Sequence, residues 1–307
     1  MKTPIAIILF LLISFQLFSQ NISDELVKKH LYTLADDDME GRKAGTPGIE
    51  KAAQYIEGEF KEIGLKFFDN ATSYRQNFKA KGLDLFNVIG VLEGKSRKDE
   101  YVIISAHYDH LGINNKKKGD SIYNGANDDA SGVAAVLALA KYFKEKDDNE
   151  RSIIFVAFTA EEMGIIGSNY FGTTVNPENI VAGINIEMIG KESSFGPKTA
   201  WLSGFDRSNF GTIIQKNLEG TAYKLYPDPY PKYRLFFRSD NAALAKLGIP
   251  AHSFSTTQID IDKDYHKVTD EAEGLDVGTI TETIRAIAIG TQSIIDGTDT
   301  PTRVLLN

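Results

Sequence analysis

The 307-residue chain contains no cysteine, which excludes disulfides, thiolate metal sites, a cysteine nucleophile and a lipidated N-terminal cysteine. Any metal must be held by His, Asp and Glu. Nor is there a surplus of positive charge: 34 Lys and Arg stand against 42 Asp and Glu, a formal net charge of −8. Neutralising phosphates needs Lys and Arg in excess on one face, so no nucleic-acid partner is expected. No internal repeat, low-complexity tract or Pro-rich linker follows the N-terminal segment, and no later run is long and apolar enough to span a bilayer. What is there suits a soluble globular chain with a substantial core: 42% hydrophobic and 25% charged residues.

The chain opens with Lys2, an apolar run over residues 5–18 and the polar exit Ser19-Gln20-Asn21. A positive start, a short apolar stretch and a small residue at its end read as a signal peptide over residues 1–19. Polar Ser14 and Gln16 interrupt the run, and it falls short of the ~20 residues a spanning helix needs. The expectation is a secreted or periplasmic protein with no stable membrane association after cleavage, its residues 20–307 forming one domain.

Helices are expected over residues 23–34, capped by Ser23, and over 47–63, between Thr46-Pro47 and Gly64. Apolar runs at 101–106, 152–158, 180–186 and 250–254 suit strands buried on both faces. Helical spacing recurs at 131–144, 206–218, 241–247 and 277–295. Strands alternating with helices predict an α/β fold, a three-layer sandwich around a mostly parallel central sheet.

Polar residues stand where the strands end. The first runs into Ala106-His107-Tyr108-Asp109-His110, the second into Thr159-Ala160-Glu161-Glu162, the third into Asn185-Ile186-Glu187. In open α/β sheets the ligand crevice lies outside the carboxyl ends of the strands, so these groups should converge. Two more segments fit the same rim: Asn127-Asp128-Asp129 and Asp264-Tyr265-His266.

Carboxylates crowded into an apolar crevice repel one another and lose solvent, and a divalent cation relieves both penalties. Five candidate ligands, His107, Asp128, Glu162, Glu187 and His266, exceed what one tetrahedral zinc accepts but suit two zincs sharing a carboxylate. Asp128 is assigned as the bridge, with His107 and Glu187 on one ion and Glu162 and His266 on the other. Neighbours on an extended backbone point to opposite sides, so Glu161 and Glu162 divide the work if the turn is tight. Glu162 ligates, and Glu161 is the general base over a zinc-acidified water, later protonating the leaving amine. Asp109 is positioned to accept the free ring N–H of His107 or orient that ring, and Tyr265 to donate its hydroxyl to the developing oxyanion.

The motifs AHYDH, GANDDASG, TAEEMGIIGS, NIEMIG and DYHK, in that order, resemble those of the co-catalytic zinc aminopeptidases, the family that includes glutamate carboxypeptidase. The resemblance extends to the early DMEGRKAGTPGIEKAAQYI segment. It implies a zinc-exopeptidase fold, two zinc ions and a peptide substrate. It further implies His107, Asp128, Glu162 and His266 as ligands, Asp128 as the shared one, Glu161 as base and Asp109 as the carboxylate behind the histidine. Two departures stand out. Glu187, longer by one methylene, occupies a position where the family usually has Asp, and Asn241 follows Ser239-Asp240 where the family often has His. The 78–101 interval is too short for an inserted protease-associated domain, so a single catalytic domain is expected.

Other residues have plainer readings. His30 is expected to be a solvated surface group, His252 a hydrogen-bonded core group, His110 a rim-loop residue or a substrate contact. Asp129 reads as a helix cap, the run Lys116-Lys117-Lys118 as an exposed loop, and Arg238 as a grip for a substrate carboxylate or a partner of Asp240. The expected function is an exported zinc exopeptidase, an aminopeptidase removing N-terminal residues. The alternatives are a single-zinc glutaminyl cyclase-like acyltransferase and a non-catalytic peptide-binding relative, which would have no need of Glu161.

Overall fold

In the computed structural model, residues 22–306 are described; the expected signal peptide lies outside them. The first helix, α1 (Asp24–Leu34), begins where the Ser23 hydroxyl accepts the N–H of Leu26. Helix α2 (Pro47–Ile63) ends at Gly64, whose φ of +78° closes the last turn in the left-handed region. Three strands not foreseen follow: β1 (Lys66–Phe67) and the hairpin of β2 (Arg75–Ala80) with β3 (Leu83–Leu92). Then come β4 (Arg97–His107), the small pair β5 (Gly112–Ile113) and β6 (Ile122–Tyr123), α3 (Ser131–Lys146) and β7 (Arg151–Phe158). Next are α4 (Ile166–Gly172), β8 (Ile180–Ile186), β9 (Thr199–Leu202), α5 (Phe210–Asn217) and β10 (Lys224–Pro227). The chain closes with α6 (Asn241–Ala245), β11 (Ala251–Ser255), α7 (Val277–Gly290) and α8 (Gln292–Ile295).

Among the described residues nine strands form the sheet, in the order β1-β3-β7-β4-β8-β11-β9-β10 with β2 on β3. The central four, β7, β4, β8 and β11, run parallel, and antiparallel pairs lie towards the edges. Both faces are covered. Val102, Ile104, Ile153 and Phe155 pack into the core with α1, α2, α3 and α7, while Ile103, Ile154 and Val156 join Phe171 of α4 and Leu244 of α6 on the other side. That alternation explains the continuous apolar runs, since strands between two helical layers have no wet face. The mixed α/β sandwich with its mostly parallel centre is as expected.

Three expected helices are shorter than their periodicity, that over 241–247 stopping at Ala245. Only Phe210–Asn217 of the 206–218 window is α-helical, because Gly204 at φ +65° turns the chain into a separate short turn over Phe205–Arg207. The 277–295 helix breaks at Thr291, whose hydroxyl donates to the Ile287 carbonyl. His30 is a correction: it is buried, 1% exposed, with Nδ1 2.7 Å from the Tyr55 hydroxyl.

Candidate metal centre

Parallel pairing puts the ends of β4, β7 and β8 side by side, with His107 opposite Phe158 and Ser105 opposite Asn185. His107 is the last residue of β4, Glu161 and Glu162 follow β7, and Glu187 follows β8. Asp128 stands in the turn before α3, and His266 in the loop between β11 and α7. The expected ligands gather into two clusters. His107 Nε2 lies 3.1 Å from Asp128 Oδ1 and 3.4 Å from Glu187 Oε1. His266 Nε2 lies 3.2 Å from Asp128 Oδ2 and 3.1 Å from Glu162 Oε2. Asp128 gives one carboxylate oxygen to each, which is the geometry of a bridge.

The polypeptide around these groups is tied down by buried side chains. Ala160, at φ +56°, breaks the extended run after β7, so Glu161 and Glu162 need not alternate. Asp109 Oδ1 accepts the N–H of Glu161 (3.0 Å) and Oδ2 that of Glu162 (3.3 Å). Of the two roles expected of Asp109, its carboxylate does not accept the His107 ring N–H, but the residue still orients that ring. The ring Nδ1 of His107 is 3.0 Å from the backbone carbonyl of Asp109, while the carboxylate is 3.9 Å away and holds the glutamate turn instead. Asp129 caps as expected, accepting the N–H of Gly132 in the first turn of α3, and also that of Met188 beside Glu187. Asp270 accepts the N–H groups of Asn127 and Asp128. The longer Glu187 side chain leans on Ser239, whose hydroxyl donates to Oε2 at 2.6 Å.

The cleft beside the clusters is lined by Glu161, Trp201, Leu235, Arg238, Tyr265 and Met188, among others. The Tyr265 ring stacks on the His266 ring, centroids 3.9 Å apart. Arg238 faces the cleft and does not pair with Asp240, whose two carboxylate oxygens are buried without hydrogen-bond partners. His252 is the core group expected, with Nδ1 2.9 Å from the Ser203 carbonyl and Nε2 2.8 Å from the Ser208 hydroxyl.

Sequence reasoning missed Arg42. Fully buried, it donates to the carbonyls of Leu34, Tyr108, Asn124 and Gly125, joining the His107–His110 loop to the segment that leads into Asp128. It also missed the burial of His110, which approaches Glu162.

The electrostatics call for a cation. Burial raises the Asp128 carboxyl, but His107 and His266 outweigh it and hold the group well below its usual range. Burial lowers His107, yet Glu187 and Asp128 lift it well above the usual imidazole value; His266 is likewise raised, to about 10, by Asp128 and Glu162 against burial. Glu161 is pushed well up, first by burial and then by Asp240 and the other carboxylates. Burial raises Asp109 to about 6 and Asp240 to about 7. A nest of buried carboxylates with too few counter-charges is stabilised by a divalent ion. The donor set fits zinc: imidazoles and carboxylates in two groups, His107–Asp128–Glu187 and His110–Asp128–Glu162, each offering ligand atoms within 4.8 Å of one another.

Comparison with known proteins agrees. Residues 87–289 match the family model of peptidase family M28. The chain is similar to Aminopeptidase YwaD of Bacillus subtilis (strain 168), 29% identical over 160 residues, covering 50% of this chain and 30% of that protein. It is also similar to a probable zinc metalloprotease of Pyrenophora teres f. teres (strain 0-1), 34% identical over 115 residues, 36% of this chain and 24% of the relative. The matches thus span about a quarter to a third of these relatives' lengths. Among solved structures, an aminopeptidase from Aneurinibacillus sp. strain AM-1 shares the fold at TM-score 0.68 and 16% identity, over 94% of this chain and 97% of that one. The glutaminyl cyclase of Porphyromonas gingivalis does so at TM-score 0.68 and 16% identity, over 89% and 99%. With the family model covering most of the chain and two carboxylate–imidazole clusters meeting at Asp128, the chain belongs to peptidase family M28, a family of zinc metallopeptidases.

Proposed function

We propose that the protein is an exported aminopeptidase, its residues 20–307 one catalytic domain that removes N-terminal residues from peptides. The observation that carries this reading is the pair of clusters divided between the two oxygens of Asp128, with Glu161 lining the same cleft outside both sets of contacts. His107 and Glu187 with Asp128 would hold one zinc, and Glu162 and His266 with Asp128 the other. Zinc bound there supplies Lewis acidity to the scissile carbonyl and makes the attacking water more acidic.

The chain's own groups do the rest. Glu161, buried among carboxylates that raise its proton affinity, takes a proton from the water and delivers it to the leaving amine. Burial, with the carboxylates of Asp128 and Glu162, keeps the Tyr265 hydroxyl protonated, so it donates a hydrogen bond to the carbonyl oxygen as negative charge develops. Surplus carboxylate at the rim suits a free, positively charged α-amino group on the substrate. Trp201, Leu235 and Met188 offer apolar contact to the terminal side chain.

The glutaminyl cyclase reading keeps a single zinc on Asp128, Glu162 and His266. The complete His107–Asp128–Glu187 cluster favours the two-metal peptidase instead. The test is hydrolysis of aminoacyl amides and N-blocked peptides, with metal content measured alongside. Two zincs per chain and at least ~10-fold preference for a free amine, the worth of one charge-assisted contact, support the reading. One zinc per chain with cyclisation of N-terminal glutamine overturns it. Glu161→Gln should lower kcat by roughly 10²- to 10⁴-fold, the range for a general base, with the zinc content and melting curve of the wild type.

A further inference from the structure

The proposed function gives His110 no role, although its nitrogen is grouped with Asp128 and Glu162; its ring is 1% exposed and sits against the centre. Its Nδ1 lies 2.9 Å from Glu162 Oε1 and 3.8 Å from Asp128 Oδ2. The approach is not a hydrogen bond, for His110 Nδ1, Glu162 Oε1 and Asp128 Oδ2 are all buried without a hydrogen-bond partner. Burying three such atoms unpaired is strongly unfavourable. Three donor atoms turned towards one another, each lacking a proton partner, are the arrangement expected around a cation. His266 Nε2 closes on the same two carboxylates, at 3.2 Å from Asp128 Oδ2 and 3.1 Å from Glu162 Oε2.

We infer that His110 Nδ1 is a further protein ligand of the metal held by Asp128, Glu162 and His266. That ion then has four protein donors, against three from His107, Asp128 and Glu187 for the other. Four protein ligands close a tetrahedral zinc site, whereas three leave a position for a small molecule. The two ions therefore differ in kind: the one at His110 is the more tightly retained and fills first, and the one at His107 is the more open.

The ring is oriented by packing. Its Nε2 also lacks a partner, so the carbonyl or carboxylate that usually steers a ligating imidazole is replaced by neighbours. Gly125 presses so close that a Cβ there would lie 2.4 Å from His110 Cγ. The His266 ring meets it edge-on at 5.7 Å and 70°. The His110 N–H donates to the Arg42 carbonyl at 3.2 Å, fixing the backbone.

The inference rests on the metal-centre reading, and its readout is coordination rather than turnover. Wild-type protein loaded with two Co(II) per chain should show three paramagnetically shifted, solvent-exchangeable imidazole N–H signals in its proton NMR spectrum, from His107, His110 and His266. Two signals overturn the inference and leave the peptidase reading intact; three signals without peptidase activity do the reverse. Failure to take up metal overturns both. His110→Asn keeps a side-chain N–H near Glu162 but removes the imidazole. In competition with a chromophoric chelator it should weaken the first-filling zinc by about 100-fold, the upper end of ligand-sphere effects, and leave the second within about threefold. Unchanged affinity of the first-filling zinc overturns the inference. Should the variant fail to fold by circular dichroism, the wild-type signal count decides alone.

Discussion

The two halves of the centre are built by different means. His107 ends β4 and Glu187 directly follows the neighbouring strand β8, where the ladder continues past the strand end, the N–H of Glu187 donating to the Phe254 carbonyl of β11 at 3.0 Å. His266 stands on a loop, at φ +58°, with a side chain 36% exposed. Paired strand ends position side chains mainly through the ladder, whereas a loop must be pinned by contacts of its own. The pin is Lys191, four residues beyond Glu187: its ammonium meets Asp262 Oδ1 at 2.6 Å and Asp264 Oδ2 at 2.8 Å. Asp270, on the same loop, accepts the backbone N–H groups of Asn127 and Asp128. The loop half is thus fastened to the strand half by side chains.

Arg42 serves both halves, and its loss should have the largest effect. Arg42→Met leaves buried carbonyls at Leu34, Tyr108, Asn124 and Gly125 without their donor. At ~1–3 kcal/mol for each buried unpaired group, the expected loss in a urea unfolding curve is about 4 kcal/mol or more. A loss under about 1 kcal/mol would mean that the two halves dock without it. Next is Lys191→Met, which leaves Asp262 buried without its cation. Zinc at the His266 half should weaken by ~10-fold, the low end for supporting groups, while the other zinc holds. Equal weakening of both ions would erase the distinction between strand-borne and loop-borne ligands. Ser239→Ala probes the strand half, removing the donor to Glu187 Oε2. One hydrogen bond of about 1 kcal/mol amounts to roughly fivefold in affinity, confined to the His107 ion in a chelator competition.

The same contrast explains what the sequence made legible. Strands β4, β7, β8 and β11 are readable because their central residues are buried on both faces, and in the first three these residues are mostly apolar. The polar residues at their ends then followed from the general geometry of such sheets. The β2–β3 hairpin was not readable, since β2 is an outer strand with one buried residue among six. His30 was misread because Lys28 and Lys29 precede it; yet Val27, His30, Leu31 and Leu34 are the buried residues of α1, a helical face at i, i+3, i+4 and i+7 that carried the signal. The burial of Arg42 and His110 depends on partners more than 60 residues away in some of their contacts, and no local pattern encodes it. The Asp109 carboxylate lies at the expected site but takes different donors, the N–H groups of Glu161 and Glu162, because a two-residue spacing shows which side a carboxylate faces on an extended strand but not where a loop will turn it.

The smallest expected effect comes from comparing histidines at the rim with those in the core. Carboxylates raise His107 and His266 at the rim, whereas burial lowers His30 to about 3 and His252 to about 4. The Tyr55 hydroxyl, itself held protonated by burial, lies 2.7 Å from Nδ1 of the neutral His30 ring. A histidine depressed in the fold binds its proton more readily in the unfolded chain, where the ordinary value is ~6.5. Stability from such a group is complete above that value and is lost as pH falls from about 6.5 towards the folded values of about 3 and 4. One pH unit inside the window corresponds to about 1.4 kcal/mol for a fully shifted group. His30→Gln keeps a hydrogen-bonding partner for Tyr55 but does not titrate, so its unfolding free energy should fall by about 1 kcal/mol less than that of the wild type between pH 6.5 and 5.5. Parallel curves for the two proteins would assign the acid sensitivity to the rim instead, where metal-free His107 and His266 change stability in the opposite direction, losing it as pH rises.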